Sequence, residues 1–365
     1  MRKIVILEIA VAALLFIVGI CVLLGGKPGG ATQYQLKEKT GETTAGTSAP
    51  SDTAGTTVST DDAEASDATG TTGPAETEAP TEPPFQMPEI TWKTLPEDRE
   101  IAAPHAFVYD CSSEEFLFTR GELEDPVYMA SITKLFAIHV ASRYLNPDEE
   151  IRIESGPLSK VSANSSTAGL VAGEILTANQ LYIGSLISGG NDAVYVLATV
   201  AGKRIAGDTE LSTDEAIAAF VEEMNREAEA LGMTGTHFTN PDGYHDSQHY
   251  TCLRDLVTIA SLSLENTAVT ENGPLLEVDI TPVSGSRKAW KNLNLLVDED
   301  SQYYCPYAIG LKTGYTGSAG NCLLSAFEIG GRQYIIGTFG CSTESDRFND
   351  TLQLFNELVI LRDHP

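Results

Sequence analysis

The amino-acid sequence predicts an α/β protein of the α+β type: an antiparallel sheet assembled from both ends of the folded region and flanked by helices, with a helical subdomain inserted between the two halves. Three observations carry this expectation. Strand-like runs occur early and again late, helical apolar patterns fill the middle, and one further helical pattern follows the last strand-like run.

Phe107-Val108-Tyr109 and Phe116-Leu117-Phe118 read as a hairpin around Asp110-Cys111-Ser112-Ser113, because polar turn formers separate two runs with strong strand preference. Ser131 to Leu145 reads as a helix that is apolar nearly all round, and so as a buried core element. Leu176 to Val200 keeps a helical pattern but breaks at Gly189-Gly190, where two residues without side chains weaken a helix. Thr213 to Leu231 is amphipathic and is closed by Gly232, at the position where helices favour a left-handed residue. Tyr307 to Lys312, Cys322 to Ile329 and Gln333 to Phe339 are strand-like, and Asp346 to Leu361 completes the pattern as a helix.

These elements fall in the last of three zones. Residues 1–26 begin with Arg2-Lys3 and continue in an apolar run, Ile4 to Leu24, whose only charged member is Glu8. About 20 apolar residues cross the hydrocarbon layer, so the run is long enough for a transmembrane anchor, and the basic start points it inward. A cleaved signal peptide and a lipoprotein signal are the alternatives. No convincing small-x-small cleavage pattern follows, and Ile20 is bulky where lipid attachment at Cys21 wants a small residue. Each alternative puts the rest of the chain outside the cytoplasm. Residues 27–84 read as a disordered linker: Thr40 to Pro84 holds 13 Thr in 45 residues, with Val58 as the only Leu, Ile, Val or Phe. Such a segment buries too little apolar surface to offset the entropy of ordering. Its r.m.s. reach is about 40 Å, so it is either a tether above a membrane or a plain spacer. Residues 85–365 are the folded domain.

Composition narrows the function. Lys and Arg number 23 against 51 Asp and Glu, a net charge of −28 with no basic cluster, which argues against a nucleic-acid partner. The 42% apolar content is ordinary for a globular chain. Cysteines at 21, 111, 252, 305, 322 and 341 form no C-x-x-C pair, so a structural zinc site is not expected.

Two short motifs carry chemistry. In Ser131-Ile132-Thr133-Lys134 the i, i+3 spacing sets a hydroxyl and an amine on one helix face. The lysine can take the serine's proton only if it is neutral. Burial and the positive end of the helix dipole both favour that state. The alternative reading is a serine cap with a solvated lysine. Lys312-Thr313-Gly314 ends a strand, where an amine and a hydroxyl can hold a carboxylate and a glycine leaves room for an extended ligand. Each motif alone is weak. Their order, with Ser and Asn in a glycine-broken helical region between them, is the set found in penicillin-binding proteins and class A β-lactamases.

The segment Tyr128-Met129-Ala130-Ser131-Ile132-Thr133-Lys134-Leu135 resembles the active-serine motif of the low-molecular-mass D-alanyl-D-alanine carboxypeptidases. Asn191-Asp192-Ala193, His237 to Gly243, and Gly310 to Thr316 with Ala319-Gly320 resemble that family rather than the lactamases. The resemblance runs from about Ala103 to Leu361 and implies a β-lactamase/DD-peptidase-like fold. It also implies Ser131 as acyl-enzyme nucleophile, Lys134 as general base, Lys312 and Thr313 as carboxylate grip, and the backbone N–H groups of Ser131 and Tyr315 as oxyanion hole. Gly314 and Asn191 belong to the same motifs. Arg347 resembles a family arginine near the carboxylate end of the cleft, or is a helix-start ion pair.

One departure stands out. The family's second motif is S-x-N, whereas Ser188 lies three positions before Asn191. Either a bulge lets Ser188 still reach the site, the reading adopted here, or Gly189 occupies the serine's place and a hydroxyl is missing. Other candidates are weaker. His245, Asp246 and His249 are expected to be structural rather than metal ligands, and His139 a satisfied core residue. Cys322 and Cys341 are either bridged or free, as are Cys111, Cys252 and Cys305. Tyr303 and Tyr304 line the cleft or pack against it.

The resemblance implies a membrane-tethered serine carboxypeptidase that needs no cofactor or metal. It would remove terminal D-alanine from peptidoglycan stem peptides ending in D-Ala-D-Ala and be acylated by β-lactam antibiotics. Anchoring is expected from the N-terminal run, since no further β-rich domain or C-terminal amphipathic anchor follows the last helix. The rivals are a penicillin-fold binding or sensor module that has lost turnover, and a β-lactamase drawing on Glu222 or Glu223.

Overall fold

The computed structural model describes residues 100–363. The expected anchor, the linker and residues 85–99 lie outside the described residues. In chain order the elements are β1 (His105–Asp110), β2 (Glu115–Arg120), α1 (Thr133–Ser142) after a 3-10 turn (Ala130–Ile132), β3 (Glu150–Arg152), α2 (Ser155–Leu158), β4 (Ile175–Thr177), α3 (Ala178–Leu186), α4 (Asn191–Ala206), α5 (Thr213–Ala230), α6 (Leu253–Glu265), α7 (Thr267–Thr270), β5 (Glu277–Ile280), β6 (Lys288–Lys291), β7 (Ala308–Thr316), β8 (Gly320–Ile329), β9 (Arg332–Cys341) and α8 (Glu344–Asp363).

The main sheet has the order β2-β1-β9-β8-β7 with every neighbour antiparallel. Both chain ends contribute to it, and β7 is an edge strand. Successive side chains of a strand point to opposite faces, and the core splits accordingly. Phe107, Leu324 and Ile335 pack with α1 on one side, and Val108, Leu323 and Ile336 pack with Phe348, Leu354 and Leu358 of α8 on the other. The central strands are therefore covered on both faces, which is why β8 is buried at nearly every position and not only at alternate ones. Helix α1 is buried along most of its length, in keeping with its lack of a polar face.

The helical region folds as its caps dictate. Thr177 and Gln180 form a capping box at the start of α3, and Ser212 and Glu215 form another at α5. The glycine pair separates α3 from α4 as expected, and Gly232 closes α5 in the left-handed conformation. Two features differ from expectation. β7 runs on to Thr316, so Lys312 lies inside the strand, paired with Leu324, rather than at its end. The β-favouring pair Tyr315-Thr316 continues the ladder as far as Gly320. The helix α6 and the two-stranded sheets β3–β4 and β5–β6 were not anticipated, although Leu253, Leu256, Val257 and Ala260 of α6 recur at the spacing of an apolar helix face. Cys252 gives α6 no side-chain cap, and strands of three or four residues are too short to show a period.

Asp350 of α8 ties the two ends of the domain together. Its carboxylate, 5% exposed, accepts from the N–H groups of Ala102 (3.1 Å) and Ala103 (2.7 Å) just before β1. Asp350→Ala leaves the buried Ala103 N–H and the part-buried Ala102 N–H without this partner and is expected to cost roughly 1–3 kcal/mol in urea unfolding of the full-length chain. An unchanged midpoint would show that the staple contributes nothing.

Candidate active site

The site is built around the turn that carries Ser131. Ala130 has a positive φ of 47°, an uncommon conformation for a residue with a side chain. Two glycines press on this turn. A β-carbon at Gly243 would fall 1.9 Å from the carbonyl oxygen of Ala130, and one at Gly314 would fall 3.0 Å from that of Met129. Gly314 therefore makes room for the Ser131 turn against β7, and it also lines the cleft. The following helix, α1, sets Lys134 one turn on, with its Nζ 2.8 Å from the Ser131 Oγ and donating to the Asp242 carbonyl oxygen at 2.7 Å. Lys134 is 0% exposed. Burial pushes its amine down to about 8, against the opposing pull of Asp242 and Asp192.

β7 supplies the facing wall. A bulge between Ala308 and Gly310 precedes Lys312 and shifts its register. Lys312 is 2% exposed, and burial, with the nearby cations Lys134 and Arg347, lowers it to about 7. Repulsion between two buried ammonium groups is mutual, so Lys134 and Lys312 titrate as a pair. Between the walls lies a cleft of about 750 Å³, whose lining includes Ser131, Asn191, Lys312, Thr313, Tyr315 and Arg347. Asn191, the first residue of α4, is 6% exposed. Arg347 combines both sequence readings. It lines the cleft and donates to the Gly314 carbonyl oxygen at 3.2 Å, and it also pairs with Glu344 at 2.5 Å.

Ser188 is the correction. Its hydroxyl donates to the Gly184 carbonyl oxygen at 2.7 Å, one turn back along α3, and it is not among the residues lining the cleft. Gly189 lines the cleft instead, with a φ of +68°. The helix's own carbonyl satisfies the serine, and the left-handed glycine turns the chain towards Asn191 without the bulge that would aim Ser188 inward. Thus Ser131, Lys134, Asn191, Lys312, Thr313, Gly314, Tyr315 and Arg347 converge, and Ser188 does not.

The remaining candidates separate cleanly. Among the described residues no cluster of three His, Cys, Asp or Glu could hold a metal. Cys111, Cys252, Cys305, Cys322 and Cys341 are all free thiols, Cys322 and Cys341 included. Tyr303 is buried and stacks on Phe348 at 5.0 Å, and neither it nor Tyr304 lines the cleft. His139 is half-buried with Glu227 at 3.7 Å. Glu223 of α5 is held by Arg226 of the same helix and by Tyr144 beyond the end of α1, outside the cleft. Sequence reasoning missed Asp192, which binds the N–H groups of Ala168 (2.7 Å) and Leu170 (2.9 Å) and so fixes a segment beside the cleft. It also missed the role of Asp242, whose carbonyl oxygen positions Lys134. The run of Asn, Asp and Gly around each residue signals a turn, but not its partner.

Comparison with known proteins gives a consistent neighbourhood. A family model described as D-alanyl-D-alanine carboxypeptidase matches residues 92–343. The chain is 32% identical over 235 residues to a D-alanyl-D-alanine carboxypeptidase of Streptomyces sp. (strain K15), covering 62% of this chain and 77% of that one. It is 30% identical over 224 residues to D-alanyl-D-alanine carboxypeptidase DacF of Bacillus subtilis (strain 168), covering 60% of this chain. That match spans 52% of DacF, about half its length. The crystal structure of the Streptomyces K15 DD-transpeptidase superposes with a TM-score of 0.64 at 28% identity, covering 71% of this chain and 97% of that one.

Behind the site, His249 braces the first turn of α1. Its Nδ1 accepts from the Thr239 N–H at 3.1 Å, so the ring proton sits on Nε2, which donates to the Thr133 hydroxyl at 2.8 Å. That hydroxyl in turn donates to the Ala130 carbonyl oxygen at 2.8 Å. Burial lowers His249 to about 4, outweighing Asp246. A lowered base pKa means that the unfolded chain binds the extra proton between about pH 6.5 and 4. The stabilising contribution is complete above pH 6.5 and is lost as pH falls towards 4, by on the order of 3 kcal/mol. His249→Asn should flatten the fall in urea stability of the full-length chain over this window by about one bound proton; an unaltered slope would rule out His249 as the titrating group.

Proposed function

The chain belongs to the D-alanyl-D-alanine carboxypeptidase family, and from that premise we propose that it is a serine-type carboxypeptidase that removes terminal D-alanine from peptidoglycan stem peptides. The 2.8 Å approach of a fully buried lysine amine to the Ser131 hydroxyl, facing Lys312 across one cleft, is the observation that carries the reading.

The terminal carboxylate of the substrate sits on Lys312 and Thr313, with Arg347 adding positive charge. A carboxylate at Lys312 stabilises its ammonium form, so the pair's shared proton stays on Lys312 and Lys134 is left neutral. Lys134 then accepts the Ser131 proton while its own N–H remains on the Asp242 carbonyl oxygen, and the serine oxygen bonds to the scissile carbonyl carbon. The N–H groups of Ser131 and Tyr315 stabilise the charge that develops on the carbonyl oxygen, and Asn191 orients the peptide. D-Alanine leaves, water attacks the ester, and the acid product and Ser131 are regenerated. A β-lactam enters as a mimic of the D-Ala-D-Ala ending and acylates Ser131. Glu344, the glutamate that does line the cleft, is engaged by Arg347, which disfavours the β-lactamase reading. The run Ile4 to Leu24 anchors the chain in the membrane with the catalytic domain on the outer side. Among the described residues no helix is long and apolar enough to cross a membrane.

Two outcomes test this reading. The full-length chain should be labelled by a fluorescent penicillin and release D-alanine from a D-Ala-D-Ala peptide, and Ser131→Ala should abolish both. Labelling without release of D-alanine would instead favour a binding or sensor module. The rate of D-alanine release should climb on an acid limb with its midpoint between the pair's values of about 7 and about 8, because the base must lose its proton first. A flat profile from pH 5 to about 9 would remove Lys134 as the base.

A further inference from the structure

At position 189 the cleft wall carries only a hydrogen atom where the resemblance would supply a serine. A β-carbon built there would lie 3.2 Å from the Leu293 Cδ1, 3.6 Å from the Lys312 Nζ and 3.6 Å from the Ser166 Cβ. The point from which a motif serine would project is thus shared by the cleft ammonium and by a serine from a different segment. Ser166 lines the cleft and is exposed to it. Its hydroxyl makes no hydrogen bond to any described residue, in contrast to that of Ser188, which is turned back onto α3.

The segment bearing Ser166 is held rigidly. Its carbonyl oxygen accepts from the Asn191 N–H at 2.9 Å, which aligns it with the start of α4. Just beyond, Asp192 binds the N–H groups of Ala168 and Leu170. From β6, Trp290 donates to the Ala168 carbonyl oxygen (2.8 Å) and Lys288 to that of Gly169 (2.8 Å). Five hydrogen bonds thus fix the backbone of this segment beside the second motif. A hydroxyl that is unengaged, on a braced backbone, whose β-carbon lies 3.6 Å from the same point as the Lys312 ammonium, has the chemistry of a proton relay.

We propose that Ser166 supplies the hydroxyl missing at position 189 and delivers the proton to the leaving D-alanine nitrogen; this rests on the carboxypeptidase reading above. In acylation the Ser131 oxygen bonds to the carbonyl carbon and its proton passes to Lys134. As the carbon–nitrogen bond breaks, the electron pair stays on nitrogen. That nitrogen takes the Ser166 proton while Ser166 takes one from the Lys312 ammonium. Lys134 ends with one proton more and Lys312 with one fewer, so the charge is conserved, and exchange through water in the cleft restores the starting state. Lys312 also loses its charge as D-alanine is cut free, which loosens its hold on the departing carboxylate.

The test uses two acyl donors with the same acyl part and the full-length chain. One is the D-Ala-D-Ala peptide, whose amine must be protonated to leave; the other is a thioester, whose thiolate leaves without a proton. In Ser166→Ala the ratio of peptide to thioester kcat/KM should fall on the order of 10²-fold, and Ser166→Thr, which keeps a hydroxyl, should recover most of it. Equal losses on both donors would reduce Ser166 to a structural part of the segment, and an unchanged ratio would equally overturn the proposal. Failure of the carboxypeptidase reading would be seen separately, in an unsubstituted chain that releases no D-alanine or that labels elsewhere than Ser131.

Discussion

A lysine amine shut away from water between a helix start and a loop carbonyl is the constraint on which the rest of this site depends. An ammonium in water is a poor base for a serine. Removing the solvent lowers its affinity for a proton, and the Lys134 amine, moved down to about 8, comes within reach of neutral pH. Keeping it dry takes the whole centre of the fold. The apolar helix α1 packs under it, the Asp242 carbonyl oxygen orients it, and His249 and Thr133 hold the turn that aims Ser131 at it. The cost appears in the backbone, where Ala130 takes a left-handed conformation and Gly243 passes too close to its carbonyl for any side chain.

The same burial creates a tension between cations. Lys134, Lys312 and Arg347 share one region of a chain whose net charge is −28. The far-reaching field of the protein repels an anionic substrate, while the cleft attracts its carboxylate at short range, where screening by salt is weakest. Arg347 is partly neutralised by Glu344 and Lys134 by its nearness to Asp242 and Asp192. Lys312 has no acidic neighbour among the influences that shift it, so it is the cation best placed to gain from a bound carboxylate. A ligand carboxylate therefore offsets the repulsion and burial that hold Lys312 down.

Much of this was legible in the sequence because the chemistry is local. The i, i+3 pair Ser131 and Lys134 sits on a helix whose period is visible, and the three late strands and the final helix follow from alternation and length. The glycine pair at 189 and 190 marked a true break. What it could not reveal was the direction of a side chain. Whether Ser188 faces the cleft depends on one φ angle at Gly189 and on the hydrogen bond back to Gly184. The extension of β7 past Lys312 depends on pairing with β8, a tertiary fact. Ser166 carries no motif at all. Only the backbone bond from Asn191 and the shared point beside Lys312 bring it into the site.

The sheet order has a consequence for how the enzyme comes into being. β1 pairs with β9, joining His105 to Phe339 across more than two hundred residues, and β7 forms the opposite edge. The helices between can condense from local contacts while the chain is still emerging, but the sheet must wait for its last third. Since Lys312 arrives only on β7, a nascent chain carries its serine and its base long before it has anywhere to hold a substrate. Competence is conferred last, by ribosome progress, and a truncated product would be born inert.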